Sequence, residues 1–227
     1  MATGARSYQQ FCGVARALDL LGGRWTLLIV RNLLLGPRRY GTLLAELPGI
    51  TTNILASRMK ALERAGLVEK QHDDDGATRY ALTASGARLE PIVMELGRFG
   101  GSLLDRPRRG DALDIAWAFL SLKRRYRGGI HRSVELRVIA GDSVRTFALT
   151  FLERYLRVRD RPAPSPSVVV SGDVEAFRDL LFRGVPAEEL EARGALVVAG
   201  SKGAWHEVLG AIAPAPLAGT GGPDPEA

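Results

Sequence analysis

The sequence predicts an α+β protein of two domains, the first mainly helical with one hairpin, the second built from alternating strands and helices. Three observations carry this. The chain has 227 residues, enough for two cores of about 100 residues each. The segment GGSLLDRPRRGD, residues 100–111, interrupts the apolar pattern with Gly, Pro and Arg and reads as a boundary. Charge also divides there: residues 1–110 hold 16 Lys and Arg against 10 Asp and Glu, whereas residues 111–227 hold 15 of each. The predicted domains are 1–105 and 111–213, and the tail PAPLAGTGGPDPEA, 214–227, has no apolar period and is expected to be disordered.

From Arg24, the spacing of Trp25, Leu28, Ile29 and Leu33 predicts a helix that Gly36-Pro37 stops. A short helix follows, with Tyr40, Leu43, Leu44 and Leu47 on one side, ending at Pro48-Gly49. The next segment, GITTNILASRMKALERAGLV (49–68), is marked at both ends. Thr51 suits an N-cap and Ile50 can pack on Leu55 as a hydrophobic staple. Gly66 suits the left-handed position that lets Leu67 fold back on Leu62. The helix is predicted from Thr52 to about Ala65, with Leu55, Met59 and Leu62 as its core stripe. LVEKQ, the turn DDDG and TRYAL then predict a hairpin, and Thr83 caps one longer helix to about Phe99.

Opposite the core stripe lie Asn53, Ser57, Lys60 and Arg64, with short hydrogen-bonding groups near the N-terminus and cations beyond. A major-groove reader needs that order, because Asn can bond adenine bidentately, Ser and Thr bond several base edges, and Lys and Arg neutralise phosphates. The helix N-terminus itself favours a phosphate. Two helices, a turn, a capped helix and a hairpin make a helix-turn-helix followed by a wing, whose expected partner is double-stranded operator DNA. The candidate DNA contacts are Arg38, Arg39, Thr51, Thr52, Asn53, Ser57, Arg58, Lys60 and Arg64, with Lys70, His72 and Arg79 on the wing. The wing tip Asp73-Asp74-Asp75 repels phosphate, so its strands rather than its tip are expected to approach the duplex.

Across about residues 12–100, the blocks GGRWTLLI, GPRRYGTL and GITTNILASRMKALERAGLV, continuing to YALTASG, resemble the HxlR-type winged-helix transcriptional regulators. The resemblance implies a homodimer built from the N-terminal helix and the helix after the wing. Ile92, Leu96 and Phe99 form a stripe on the latter that fits either a dimer interface or a plain core. It also implies a candidate redox sensor at Cys12, with Gly13 where such proteins usually carry Pro. Arg16, one turn on, is a cation positioned to lower the thiol pKa; the alternative is a small buried hydrophobe.

Residues 111–213 follow another pattern: an apolar helix from Asp111 to about Tyr126, the strand VELRVIAG, FALTFLERYLRV, then VVVSGD leading into DVEAFRDLLFRG and ALVVAGSKG leading into AWHEVLGAIA. The first helix is apolar on more than one side and is expected to pack against two partners. This half resembles the sterol-carrier-protein (type two) lipid-binding fold, so the predicted whole is a winged helix-turn-helix domain followed by a small-sheet, lipid-carrier-like α+β domain. The resemblance implies a hydrophobic small-molecule effector. Trp117, Phe147, Phe151, Phe177, Leu181, Trp205 and Leu209 are its candidate pocket, or equally an ordinary core.

The leading function is therefore a dimeric, effector-responsive, DNA-binding regulator, expected to act as a repressor. The alternative is an enzyme or lipid carrier using the C-terminal half, with the winged helix serving assembly. It finds little support in the residues: His72, His131 and His206 are scattered, and GSKG at 200–203 is too short for a phosphate loop and reads as a turn with Ser201 as cap. No cofactor and no metal site is expected. The single cysteine allows no intrachain disulfide, and no apolar run approaches the roughly 18 residues of a membrane span, which points to a cytoplasmic protein without a membrane partner.

Overall fold

The computed structural model describes residues 7–73, 75–104 and 109–213. The predicted tail 214–227 and part of the predicted boundary segment, 105–108, lie outside the described residues. The chain divides into two compact units, Met1–Val93 and Met94–Ala227.

The first unit holds α1 (Gly13–Leu21), α2 (Thr26–Leu33), α3 (Tyr40–Glu46), α4 (Thr52–Arg64), β1 (Val68–His72), β2 (Thr78–Leu82), α5 (Ala84–Ala87) and the start of α6 (Glu90–Gly101). Its core gathers Leu21, Ile29, Val30, Leu33, Leu43, Leu47, Leu55, Met59, Leu62 and Val68, so every helix from α1 to α4 and the first wing strand contribute to one apolar cluster. The predicted α2 stripe needs correction at two positions. Leu28 is 40% exposed, and Val30 takes its place inside. Trp25 precedes the helix with a left-handed backbone, φ 80°. That conformation is uncommon for a bulky residue. It turns the indole toward the α3–α4 turn, 3.7 Å from where a Cβ on Gly49 would stand.

The single helix predicted after the wing is two. Thr83 Oγ1 accepts from Gly86 N–H, as a cap should, but α5 ends at Ala87. Pro91 has no N–H to offer Ala87, and its ring would clash with that carbonyl. The chain closes α5 with a tight turn, Leu89 N–H to Gly86 O, and restarts as α6.

The second unit continues with α7 (Ile115–Arg125), β3 (Arg132–Ala140), β4 (Ser143–Leu152), β5 (Tyr155–Arg159), β6 (Val168–Asp173), α8 (Val174–Arg178), α9 (Ala187–Ala192), β7 (Leu196–Gly200) and α10 (Lys202–Gly210). The strands form one sheet in the order β5-β4-β3-β6-β7, antiparallel except for the β3–β6 pair. Alternation puts Val134, Leu136 and Val138 of β3, Phe147, Leu149 and Phe151 of β4, and Val168 and Val170 of β6 on one buried face. α7 begins at Ile115 rather than Asp111 because Asp114 caps it, accepting from Ala116 N–H. It packs against both β5 and α8, the two-sided burial its sequence predicted. At the other end of the unit Ser201 caps α10, accepting from Ala204 N–H, so GSKG is the strand-to-helix turn expected of it.

Candidate nucleic-acid interface

α4 is fixed from inside and from both ends. Leu55, Met59 and Leu62 are 0%, 1% and 1% exposed. Thr51 Oγ1 accepts from Ile54 N–H at 3.4 Å, and Tyr40 Oη donates to the Thr52 carbonyl at 2.7 Å, tying the helix start to α3. At the far end Gly66 has φ 67° and Leu67 N–H donates to Leu62 O at 3.0 Å, the reversal that the Gly-Leu pair predicted. Outside lie Thr52, Asn53, Ser57, Lys60 and Arg64, all exposed, with Ile54 at their flank and no acidic residue in the first turn. Arg64 is steadied by donating from Nε to Lys60 O at 3.3 Å. The amide, hydroxyl and cations therefore share one surface with an open helix N-terminus.

The wing stands beside this surface because the loop before α3 pairs with it. Arg38 N–H donates to Tyr80 O at 2.9 Å and Tyr80 N–H returns the bond at 2.8 Å. The Arg38 side chain, expected from the sequence to contact DNA, points inward instead. It is 6% exposed and paired with Glu46 at 3.2 Å, and Glu46 also accepts from Asn32 Nδ2 at 3.1 Å. Arg58 is likewise drawn back. It is half-buried, with its guanidinium carbon only 2.7 Å from the position a Cβ on Gly23 would occupy. Arg38 thus builds the scaffold, while Arg58 lies against Gly23 with its Nε buried.

Arg39 and Arg79 meet partners that the sequence reading did not assign. Arg39 donates to Asp73 at 3.2 Å and to Asp75 at 2.8 Å, and Arg79 is paired with Asp73. The hydrogen bonds it donates to Asp73 and then to Asp75 raise the Arg39 pKa. Asp75 is held below the ordinary carboxylate range, first by the Ala77 N–H and next by Arg39. Lys70 is 3.5 Å from Glu63 and lies over the Tyr80 ring, while His72 is exposed.

Cys12 is exposed just ahead of α1. Its thiol pKa is lowered by the backbone N–H of Ala15 and then of Val14. Arg16 is not the cause; it leans toward Asp19, 3.9 Å away. On α6, the predicted stripe is uncovered: Ile92, Leu96 and Phe99 are 43%, 50% and 68% exposed.

The candidate effector residues are arranged as packed core. Phe119, which the sequence reading left out of the set, sits at the centre, with ring centroids 4.9 Å from Phe147 and 5.3 Å from Phe177, both edge-on. Phe147, Phe151, Phe177, Leu181 and Trp205 are buried, and Trp117 and Leu209 are half-buried. A depression of about 390 Å³ lies elsewhere in this unit, at the start of α10, and its lining is polar: Arg132, Ser133, Ser167, Ser201 and Glu207 among others. Arg132 there is already paired with Glu207 at 2.6 Å.

A buried-backed polar helix, the short helix before it and a tethered two-stranded hairpin define the first unit as a winged helix-turn-helix. The sequence pattern of the HxlR-like helix-turn-helix family matches residues 20–108. The chain belongs to this family of transcriptional regulators. It is 33% identical over 97 residues to the uncharacterised HTH-type transcriptional regulator sll1512 of Synechocystis, covering 42% of this chain and 72% of that one. It is 35% identical over 92 residues to the uncharacterised HTH-type transcriptional regulator YvaP of Bacillus subtilis, covering 40% and 85%. With the uncharacterised HTH-type transcriptional regulator Rv3095 of Mycobacterium tuberculosis it shares 40% over 96 residues, 41% of this chain and 60% of that one.

Proposed function

We propose that this regulator acts in the cytoplasm as a homodimer, with α4 of each protomer in the major groove of operator DNA and the wing along the adjoining backbone. The observation that carries the reading is the face of α4 formed by Asn53, Ser57, Lys60 and Arg64, exposed and polar while Leu55, Met59 and Leu62 opposite are buried. Asn53 reads adenine, Thr52 and Ser57 read neighbouring base edges, and Lys60 and Arg64 neutralise phosphates. Thr51 holds the helix N-terminus open toward a phosphate, and Lys70, His72, Arg39 and Arg79 follow the backbone from the wing side. Arg38 positions these groups without touching DNA, and Arg58, half-buried beside Gly23, stays a candidate phosphate contact.

Dimerisation is supported by two uncovered apolar stripes. Phe11, Val14 and Leu18 are exposed at and ahead of α1, and Ile92, Leu96 and Phe99 on α6. A second copy burying them would remove an apolar surface that a monomer rarely leaves open. Cys12 is proposed as a thiol sensor on the same segment, supported by its exposure and lowered pKa. The second unit is proposed as a sterol-carrier-like module for a hydrophobic effector, which would enter by parting the packing around Phe119, Phe147 and Phe177. Repression is the proposed outcome of operator binding.

The test is the affinity of the purified protein for the region upstream of its own gene at about 50 and 200 mM salt. With about six phosphates neutralised, affinity should fall about a thousandfold between the two. Failure to bind that DNA or any other, or binding indifferent to salt, would contradict the reading. Native mass spectrometry of the same preparation tests the effector proposal: a bound apolar molecule supports it, and a bare mass on adding long-chain apolar ligands counts against it.

A further inference from the structure

The wing tip supplies its own anions to two of the cations that face the proposed duplex. Arg39 lies 34 and 36 residues before Asp73 and Asp75, so nothing local brings them together. The Arg38–Tyr80 backbone pair does so, placing Arg39 against the hairpin. The tip is closed by Asp73 N–H to Ala77 O and Gly76 N–H to Asp73 O, which holds the Asp73 and Asp75 carboxylates on one turn. Asp73 serves Arg39 and Arg79 at once, and Asp75 serves Arg39.

We propose that Asp73 and Asp75 are selectivity determinants: an intramolecular stand-in for phosphate that occupies Arg39 and Arg79 in the free protein and yields only to correctly placed operator DNA. This rests on the DNA-binding reading above. The side chains of Arg39, Arg79 and Asp75 are 48%, 40% and 63% exposed and that of Asp73 is 23%, so each pair has at least one partner open to solvent and to competing phosphate. A phosphate held in register by base contacts along α4 displaces the carboxylates. Random DNA has no such register, and the occupied arginines contribute little to its binding. Since non-specific affinity comes almost entirely from counterions released by cations on phosphates, withholding two cations lowers it more than it lowers operator affinity. The acidic tip thus raises the ratio that decides occupancy in a genome full of competing sites.

The experiment uses the full-length protein, a scrambled 25-base-pair duplex and the fragment upstream of its own gene. In the Asp73→Asn/Asp75→Asn double variant, affinity for the scrambled duplex should rise about tenfold. The slope of log affinity against log salt should steepen by about 0.9 for each arginine freed. Preference for the upstream fragment should narrow accordingly. Adding Arg39→Gln and Arg79→Gln to the double variant should abolish the gain. A gain that survives in this background means the carboxylates act as general surface charge, and overturns the proposal. Scrambled-duplex affinity that is unchanged or weaker in the double variant, with or without a lowered melting temperature, also overturns it, because the pairs then only order the wing. If the wild type binds neither duplex at low salt, the DNA-binding reading itself falls; wild-type binding with an unresponsive double variant sinks the selectivity role alone.

Discussion

Arg64 and Lys60 lie on the same exposed face as Asn53 and Ser57, yet their reach assigns them a different task. Arg64 is tied back to the Lys60 carbonyl and sits a full helix length from the base-reading end, where a guanidinium meets the backbone. Arg64→Ala should weaken binding to operator and scrambled duplex alike, by about 1 kcal/mol, and lower the salt slope by about one, as read by fluorescence anisotropy. Cys12 gives a pH-dependent prediction. Its folded pKa is lowered, so thiolate persists to lower pH than in a free thiol. The pH at which alkylation by iodoacetamide reaches half its maximal rate should lie below that of the same thiol in unfolded chain, and a midpoint equal to it would contradict the role given to the Ala15 and Val14 amides.

At the level of elements, the helix ends were legible in the sequence because capping is local. Thr51, Ile50, Gly66 and Leu67 each act within a few residues of the helix they bound, and the structure places its limits at Thr52 and Arg64. The two halves of the wing were legible for the same reason. A pairing across 34 residues leaves no period to read, which is why the Arg39–Asp73 contact emerged only from the fold, whereas Arg38 turns inward to Glu46, eight residues on, because its backbone is paired with Tyr80 of the wing. The Arg38–Glu46–Asn32 group joins α2, α3 and the wing in a buried setting, and one of its members cannot be lost cheaply. Glu46→Ala leaves a buried guanidinium without its carboxylate and should cost about 3 kcal/mol in a denaturant melt. A loss under about 0.5 kcal/mol would mean that Arg38 escapes to solvent and the wing is held by its backbone pair alone.

For the whole molecule, the basic excess of residues 1–110 over 111–227 falls in the half that holds the winged helix-turn-helix, the unit proposed to meet DNA. Aromatic spacing in the second unit, by contrast, is the same for a lined cavity and a filled core, and only the edge-on packing of Phe119 on Phe147 and Phe177 separates the two. The exposed stripe on α6 carries the dimer prediction. Leu96→Glu with Phe99→Glu should give a monomer by sedimentation and lower operator affinity at least a hundredfold, with the melting of the fold little changed because neither residue is buried in one chain. An unchanged sedimentation coefficient would place the dimer interface elsewhere or remove it.

The most direct measurement compares wild type with Asn53→Ala on the upstream fragment and on a scrambled duplex of equal length, at one salt concentration. Asn53 is exposed near the start of α4 with its back fully anchored, so the substitution should remove base reading and leave the scaffold intact. Affinity for the upstream fragment is expected to fall about tenfold or more while that for the scrambled duplex stays the same. Equal losses on both, or none on either, would contradict the placement of this helix face in the major groove.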